Sequence, residues 1–264
     1  MAKVFLSAGH GGSDPGAVAY GMKEKDINLN IMLACKSELE RHGVTVVCSR
    51  TTDENDKVGS EVAEANASGA DIAVSFHTNA GGGDGSESFY YGTSSKGKTL
   101  AELCENYTRR IGQNSRGTKN GSHLYFIKHT KMPAVLCECA FIDNDKDNDI
   151  IDTEAERNAF GIAYAKAILE YFGIAYKSNE QPKPETPKPA PTPAPSNQYY
   201  TRYAGKSYQI DAVFRSIGVP DKYIGSYKKR KPIAAANGIN DYKGTESQNT
   251  KLISLAKSGK LKRA

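Results

Sequence analysis

Seven prolines lie within the nineteen residues from Asn179 to Asn197, where alanine is almost the only apolar residue. Such a stretch cannot build a core. It favours the extended polyproline II conformation, which rises about 3.1 Å per residue and holds folded parts at a distance from each other. A ligand for an SH3-type domain is the alternative interpretation. We predict a linker over residues 178–198 that separates two folded parts, residues 1–177 and 199–264.

The two parts carry opposite charge. Residues 1–178 hold 19 lysines and arginines against 24 aspartates and glutamates, a net charge of −5. Residues 197–264 hold 14 basic residues against 4 acidic ones, a net charge of +10. Such a difference predicts different partners for the two parts. No apolar run approaches the roughly 20 residues that span a bilayer, so no membrane span is predicted.

Apolar runs alternate with amphipathic segments along the first part. This alternation predicts βαβ units, and therefore an α/β fold with a mostly parallel sheet flanked by helices. The predicted strands are Val4–Ala8, Val44–Cys48, Asp71–Phe76, Glu87–Tyr91, Leu124–Ile127 and Ala134–Ala140. The predicted helices include Asp26–His42, Lys98–Gln113 and Thr153–Phe172. Ligand sites in such sheets collect at the carboxyl ends of strands.

Two histidines and a glutamate fall at that edge of the predicted sheet. His10 follows the first strand within a glycine-rich loop, and His77 directly follows the strand that ends at Phe76. Glu24 lies at the start of the first helix, just after the loop that carries His10. Two imidazoles and one carboxylate are a ligand set of hydrolytic zinc ions, which keep a fourth position for water. The alternatives are a histidine in an ordinary turn and a solvated glutamate that favours the helix dipole.

A single carboxylate, Glu138, interrupts the otherwise apolar run from Ala134 to Ile142. A run of this kind is typical of a strand buried on both faces. Glutamate is almost never buried without a partner, because stripping water from the ion costs several kcal/mol. The pattern therefore favours a general base that accepts a proton from an attacking water and passes it to a leaving amine. A structural ion pair, with Arg50 as its candidate partner, is the alternative.

These motifs follow one another in a recognisable order. They are Gly9–Ala17, Glu24-Lys25-Asp26 with Asn28-Leu29, Ser49-Arg50 before Asp53, Ser75-Phe76-His77 with Asn79-Ala80, Gly85–Tyr91, and Pro133–Asn144 with Glu138. In this order they resemble the zinc-dependent N-acetylmuramoyl-L-alanine amidases of the amidase-3 type, over about residues 1–173. Thr78 and the pair Cys139-Ala140 depart from the usual residues of that family without removing a ligand.

The resemblance implies a fold, a cofactor and a substrate. It implies the amidase-3 type of α/β fold, with a Zn²⁺ ion held by His10, Glu24 and His77. It implies that Glu138 is the catalytic carboxylate. The implied substrate is peptidoglycan, cut at the amide between N-acetylmuramic acid and the L-alanine of the stem peptide. Asn79 or a loop amide is a candidate to stabilise the oxyanion. The segment from Ala80 to Ser88 is too short for an inserted autoinhibitory helix, so we expect an open site.

The second part has three apolar stripes that predict a small, mainly helical module. Lys228-Lys229-Arg230-Lys231 adds a dense basic patch, which could bind nucleic acid, a membrane surface or an anionic wall polymer. No base-reading motif indicates nucleic acid and no long amphipathic helix indicates a membrane, so the wall polymer is favoured. The module is similar to C-terminal segments of lysins from Gram-positive hosts, so the whole chain resembles a phage or prophage endolysin.

The N-terminus has no recognisable signal peptide. We therefore expect synthesis in the cytoplasm, release through a holin lesion and lysis by action at the cell wall.

Three other functions stay open at this point. They are a non-catalytic wall-binding protein, a zinc peptidase acting on stem peptides, and a cysteine hydrolase that uses Cys139. The five cysteines lie mostly in apolar segments, which predicts reduced thiols packed as small hydrophobic groups. The sequence does not determine the oligomeric state.

Overall fold

The structure, a computed structural model, describes residues 2–178, 199–205 and 210–264. The chain divides into two compact units, Met1–Lys177 and Ser178–Ala264. The predicted linker, apart from Ser178, lies outside the described residues. Among the helices of the described part, none has the length and apolarity needed to cross a membrane.

Helices and strands alternate through the first unit. Its strands are β1 (Lys3–Ala8), β2 (Val18–Ala19), β3 (Met22–Lys23), β4 (Thr45–Cys48), β5 (Ile72–Asn79), β6 (Ser86–Tyr90), β7 (Ser115–Asn120) and β8 (Ala134–Phe141). Its helices are α1 (Glu24–Arg41), α2 (Val58–Ser68), α3 (Ser95–Arg110), α4 (Tyr125–His129), α5 (Asp145–Asn148) and α6 (Glu154–Tyr171).

Six of these strands form the central sheet, in the order β4-β1-β5-β8-β6-β7. The first four strands in that order run parallel, β6 runs antiparallel to β8, and β7 runs parallel to β6. The α/β prediction of a mostly parallel sheet flanked by helices is therefore confirmed. β2 and β3 form a separate small hairpin just before α1.

One side of the sheet, here called the closed face, packs against the three long helices α1, α3 and α6. Val4, Leu6, Val74, Val135 and Cys137 project from the strands into this core and are fully buried. Because successive strand residues alternate between faces, the apolar strand residues at every second position supply this core. The Thr153–Glu156 capping box begins α6, and left-handed Gly173 follows its end, so the helix lies within one residue of its predicted bounds at each end.

The opposite side, here called the half-covered face, packs against the short helices α2 and α4. Its apolar cluster includes Phe5, Ala73 and Leu136 on the strands and Phe126 on α4. Two short helices cover less of the sheet than three long ones. The strand residues that continue the same alternation toward the carboxyl edge are polar or ionisable: Ser7, Ser75, His77 and Glu138.

The structure corrects the sequence-based assignment of several elements. The segment predicted as a strand at Leu124–Ile127 is wrong, because Tyr125–His129 is helix α4. An apolar run of four residues does not distinguish a strand from a buried helical turn. Helix α2 and strand β7 were not predicted; β7 reads Ser-Arg-Gly-Thr-Lys-Asn and has no apolar alternation. His77 lies inside β5 rather than after it.

In its described residues, the second unit has its own core, built around three helices: α7 (Ile210–Ser216), α8 (Tyr227–Ala236) and α9 (Glu246–Lys257). A short 3-10 turn, Asp221–Tyr223, precedes α8. The basic patch differs from its prediction, because Arg230 is buried and bonds Asp211 Oδ1 at 3.0 Å and Tyr242 Oη at 3.0 Å. Arg230 therefore stabilises the core of the unit, while Lys228, Lys229 and Lys231 are exposed.

Candidate metal centre

His10 lies in the tight loop after β1, where the backbone is forced into unusual conformations. Its own φ is 65°, a left-handed value that residues with a Cβ seldom adopt. A Cβ at Gly9 would come 2.1 Å from Cε1 of His77, and one at Gly16 would come 2.6 Å from Oε2 of Glu24. The two glycines are needed because the loop backbone passes directly against the other two predicted ligands.

Glu24 is the first residue of α1, and its side chain is almost fully buried. Its carboxylate accepts hydrogen bonds from the backbone N–H groups of Ala17, at 2.9 Å, and Thr78, at 3.1 Å. The Asn28 side-chain amide donates to Oε1 at 3.2 Å from one helical turn further along α1. These donors fix the carboxylate between the two histidines, which a solvated glutamate would not require.

The three predicted ligands converge on one point. His77 Nδ1 lies 3.0 Å from Glu24 Oε1, and His10 Nε2 lies 3.3 Å from Glu24 Oε2. One ligand atom from each residue can be chosen so that all lie within 4.8 Å of one another. Donor atoms of a tetrahedral zinc site are roughly 3.3 Å apart when each is about 2.0–2.1 Å from the ion. The donor set and its spacing therefore fit a zinc ion.

Asp14 completes the setting of His10, and the sequence analysis gave it no role. Its Oδ2 lies 2.8 Å from His10 Nδ1, so His10 presents Nε2 to the centre. Metal-binding histidines usually donate their second ring N–H to such a carboxylate, which fixes the orientation of the ring. A carboxylate four residues after the histidine, in the same glycine-rich loop, is the signal that could have identified it.

Hydrogen bonding to Glu24 dominates the protonation of His10 and raises its pKa to about 9. Burial lowers the pKa of His77, but the hydrogen bond to Glu24 together with the negative charges of Glu138 and Glu24 outweighs burial, so the pKa of His77 is raised. Burial likewise opposes ionisation of Glu24, yet the two histidines hold its pKa well below the ordinary range. The carboxylate is thus ionised and favours positive charge beside it, which either protons on the imidazoles or a bound cation would supply.

Glu138 lies beside this cluster, paired with His77 in the register of β5 and β8. Its Oε2 is buried and has no hydrogen-bond partner among the described residues. Burial, with Glu24 and Glu87 as further negative charges, raises the pKa of Glu138 to about 7 against the opposing effect of His77. The proposed ion pair with Arg50 is wrong, because Arg50 donates instead to the carbonyls of Ala8, Lys25 and Thr52.

Two other candidate groups are placed differently. The side-chain amide of Asn79 donates to Glu87 Oε1 at 3.2 Å. Cys139 is buried in the core of the closed face, and burial raises the pKa of its thiol far above the ordinary value. A thiol in that setting is not a nucleophile, since the thiolate is the reactive form. The arrangement therefore supports metal-assisted hydrolysis with Glu138 as the group that exchanges protons.

Comparisons with known proteins identify the family of the first unit. Residues 4–170 match the family model Amidase_3, described as N-acetylmuramoyl-L-alanine amidase. The chain is 34% identical over 179 residues to N-acetylmuramoyl-L-alanine amidase CwlM of Bacillus licheniformis, covering 66% of this chain and 70% of that protein. It is 35% identical over 195 residues to the endolysin of Bacillus phage SPP1, covering 70% of this chain and 72% of that protein.

A solved structure shows the same fold. The catalytic domain of CwlV, an N-acetylmuramoyl-L-alanine amidase from Bacillus (Paenibacillus) polymyxa var. colistinus, superposes with a TM-score of 0.62 at 31% identity. The match covers 66% of this chain and 100% of that one. The shared region therefore corresponds to the first unit, in which the His10–Glu24–His77 cluster lies.

Proposed function

Because the chain belongs to the Amidase_3 family of N-acetylmuramoyl-L-alanine amidases, we propose that its first unit is a zinc-dependent peptidoglycan amidase whose action lyses the cell wall. The bond cut is the amide between the lactyl group of N-acetylmuramic acid and the L-alanine of the stem peptide. Supporting relatives include both Bacillus amidases and a phage endolysin.

His10 Nε2, the Glu24 carboxylate and His77 Nδ1 are the groups that would hold the zinc ion. When bound, zinc polarises a carbonyl and increases the acidity of water, which are the two requirements of amide hydrolysis near neutral pH. Asp14 keeps the ring of His10 in the orientation that binds. The loop glycines allow the backbone to approach the ligands closely, so the centre is formed before substrate arrives.

Glu138 accepts a proton from the attacking water and later returns it to the leaving amine of L-alanine. Both transfers need a carboxyl group whose pKa lies near the working pH, and that of Glu138 is raised to about 7. The unpartnered, buried Oε2 of Glu138 beside the His10–Glu24–His77 cluster is the observation that carries the proposal. A purely structural glutamate would have a protein partner.

The decisive experiment digests purified Gram-positive peptidoglycan with the full chain and identifies the new end groups. We expect newly freed L-alanine amino termini, abolished by a chelator and restored by zinc. New termini at other stem residues would instead indicate a peptidase, and reducing sugars a glycosidase. The absence of any new ends would indicate a non-catalytic wall-binding protein.

We further propose that the second unit holds the enzyme on the wall by binding an anionic wall polymer. Residues 197–264 carry a net charge of +10, and Lys228, Lys229 and Lys231 are exposed. Tethering of this kind raises the local concentration of the catalytic unit at its substrate.

Truncation after Lys177 tests the role of the second unit. The truncated chain should cleave a soluble muropeptide as fast as the full chain but sediment less with walls. Charge reversal of Lys228, Lys229 and Lys231 in the full chain should reproduce the weaker sedimentation, whereas reversal of the exposed Lys96 and Lys98 on α3 should not. Wall binding that is equal in all variants would refute this role.

A further inference from the structure

On the side of Glu138 away from the metal cluster, the half-covered face continues into a group of charged side chains. Glu87 on β6 is the register partner of Glu138 on β8, so their Cα atoms face each other across about 4.5–5.5 Å. Glu87 is buried and forms ion pairs with Arg116 and Lys119, both on the edge strand β7. We call Glu87, Arg116 and Lys119 the β7 cluster.

The β7 cluster has one positive charge in excess. Arg116 Nε donates to Glu87 Oε2 at 2.7 Å, and Lys119 Nζ donates to the same oxygen. One carboxylate thus faces two cations, whose side chains are 39% and 38% exposed. Among the residues that the structure describes, the two Nη groups of Arg116 have no hydrogen-bond partner, although a guanidinium carries five N–H donors. The cluster is therefore able to bind one further anion.

The position of Arg116 is fixed by its neighbours. Its guanidinium lies over the ring of Phe141, at 5.1 Å, at the carboxyl edge of β8. Asn79, two residues after His77, bonds the other oxygen of Glu87 at 3.2 Å. Arg116 is also the second residue of β7, whose first residues lie at the same edge of the sheet as the metal cluster. One residue, Glu87, therefore links Arg116 to the strand position of the catalytic carboxylate, and the Nη groups of Arg116 lie at the same edge of the sheet as the metal cluster.

This inference rests on the proposed function. The lactyl carboxyl group of N-acetylmuramic acid forms the scissile amide, so the sugar has no free carboxylate beside that bond. The stem peptide does present one. Its second residue is a glutamate joined through the γ-carboxyl, which leaves the α-carboxyl either free or amidated. Two extended residues span about 7 Å, so this α-carboxyl lies one to two strand spacings from the bond being cut. We propose that Arg116, assisted by Lys119, binds the free α-carboxylate of stem residue 2 and makes the enzyme selective for unamidated stems.

The test compares two synthetic muramyl dipeptides, N-acetylmuramoyl-L-alanyl-D-isoglutamate and its D-isoglutamine analogue, which differ only in that carboxyl group. A hydrogen-bonded charge pair corresponds to about 10-fold or more in kcat/KM. We expect the zinc-loaded full chain to favour the free carboxylate by about that factor. Arg116→Ala should bring the ratio close to one by lowering kcat/KM mainly on the substrate with the free carboxylate, and Arg116→Lys should retain part of the preference.

Arg110→Ala serves as the matched control, because this exposed arginine on α3 lies over the ring of Tyr107, at 4.1 Å, away from the half-covered face. It should keep the full preference. Equal rates of the wild-type chain on the two substrates would overturn the inference and leave the amidase proposal intact. A ratio unchanged in Arg116→Ala, with both rates lowered, would assign Arg116 a structural role through Glu87. Cleavage of neither substrate would contradict the proposed function together with the inference.

Discussion

The two faces of the central sheet are formed by the same strands but carry different kinds of side chain. On β8, Val135, Cys137 and Cys139 enter the core of the closed face, whereas Glu138 points to the half-covered face. On β5, Val74 and Phe76 enter the same core, and His77 points the other way. Three long helices exclude water from one face, while two short helices leave the carboxyl edge of the other to polar groups.

This comparison shows that strand alternation places the residues that stabilise the fold on one face of the sheet and the residues of the candidate site on the other. Residues on the closed face contribute burial, which stabilises the fold at about 25 cal/mol per Å² of apolar surface. At its carboxyl edge the half-covered face presents ionisable groups whose protonation depends on neighbours there, such as His77 with Glu24 at the start of α1. Substitutions on the two faces should therefore have different consequences, even at adjacent positions of one strand.

Loss of a ligand on the half-covered face should have the largest effect. His77→Ala removes Nδ1 from the cluster and leaves Glu24 with one histidine, so we expect loss of both bound zinc and amidase activity. Metal analysis and muropeptide hydrolysis measure the two losses. His129→Ala is the control, because this exposed histidine lies at the end of α4 and should leave both quantities unchanged. Full activity in His77→Ala would contradict the assignment.

Glu138 should affect turnover without affecting zinc. Glu138→Ala and Glu138→Gln should both keep stoichiometric zinc while kcat falls by about 10²- to 10⁴-fold, because the proton acceptor is lost. Cys139→Ala is a close control on the same strand, since its side chain lies on the closed face. It should keep turnover, as should the wild type after treatment with a thiol-blocking reagent. Zinc loss in Glu138→Gln would make Glu138 a ligand instead.

Asp14 should have a smaller effect, on metal affinity alone. Asp14→Ala leaves His10 Nδ1 without its carboxylate, and such changes typically weaken metal binding by about 10- to 100-fold. Titration with a competing chelator measures the affinity, and activity at saturating zinc should stay near that of the wild type. An unchanged zinc affinity would show that Asp14 does not orient His10.

A cavity on the closed face should have the smallest effect on catalysis. Ile168→Ala on α6 removes a fully buried side chain and should lower the free energy of unfolding by about 2–5 kcal/mol. Zinc content and kcat at low temperature should remain within about twofold of the wild-type values, because the cavity does not reach the metal cluster. Denaturant unfolding measures the loss of stability, and hydrolysis assays measure kcat. A large fall in kcat of the folded protein would contradict the claim that closed-face residues affect stability but not catalysis.

The sequence predicted the parts of the fold that depend on apolar periodicity and glycine-rich loops. The α/β class, the position of His10 just after β1 and helix α6 all follow from such local signals, whereas His77 lies two residues before the end of β5 rather than after the strand. Strand β7 did not, because an edge strand rich in polar residues lacks alternation and is recognised only through pairing with β6. Asp14, Glu87 and Arg116 were missed for a related reason: their roles arise from neighbours distant in the chain or from one contact in a loop.

The most direct test of the central claim is anomalous diffraction at the zinc edge from crystals of the zinc-loaded chain. The account predicts one strong peak on the half-covered face, about 2.0–2.2 Å from His10 Nε2, the Glu24 carboxylate and His77 Nδ1. Glu138 should lie close by but outside ligand distance. A peak at the cysteines of the closed face, or the absence of any peak at the His10–Glu24–His77 cluster, would contradict it.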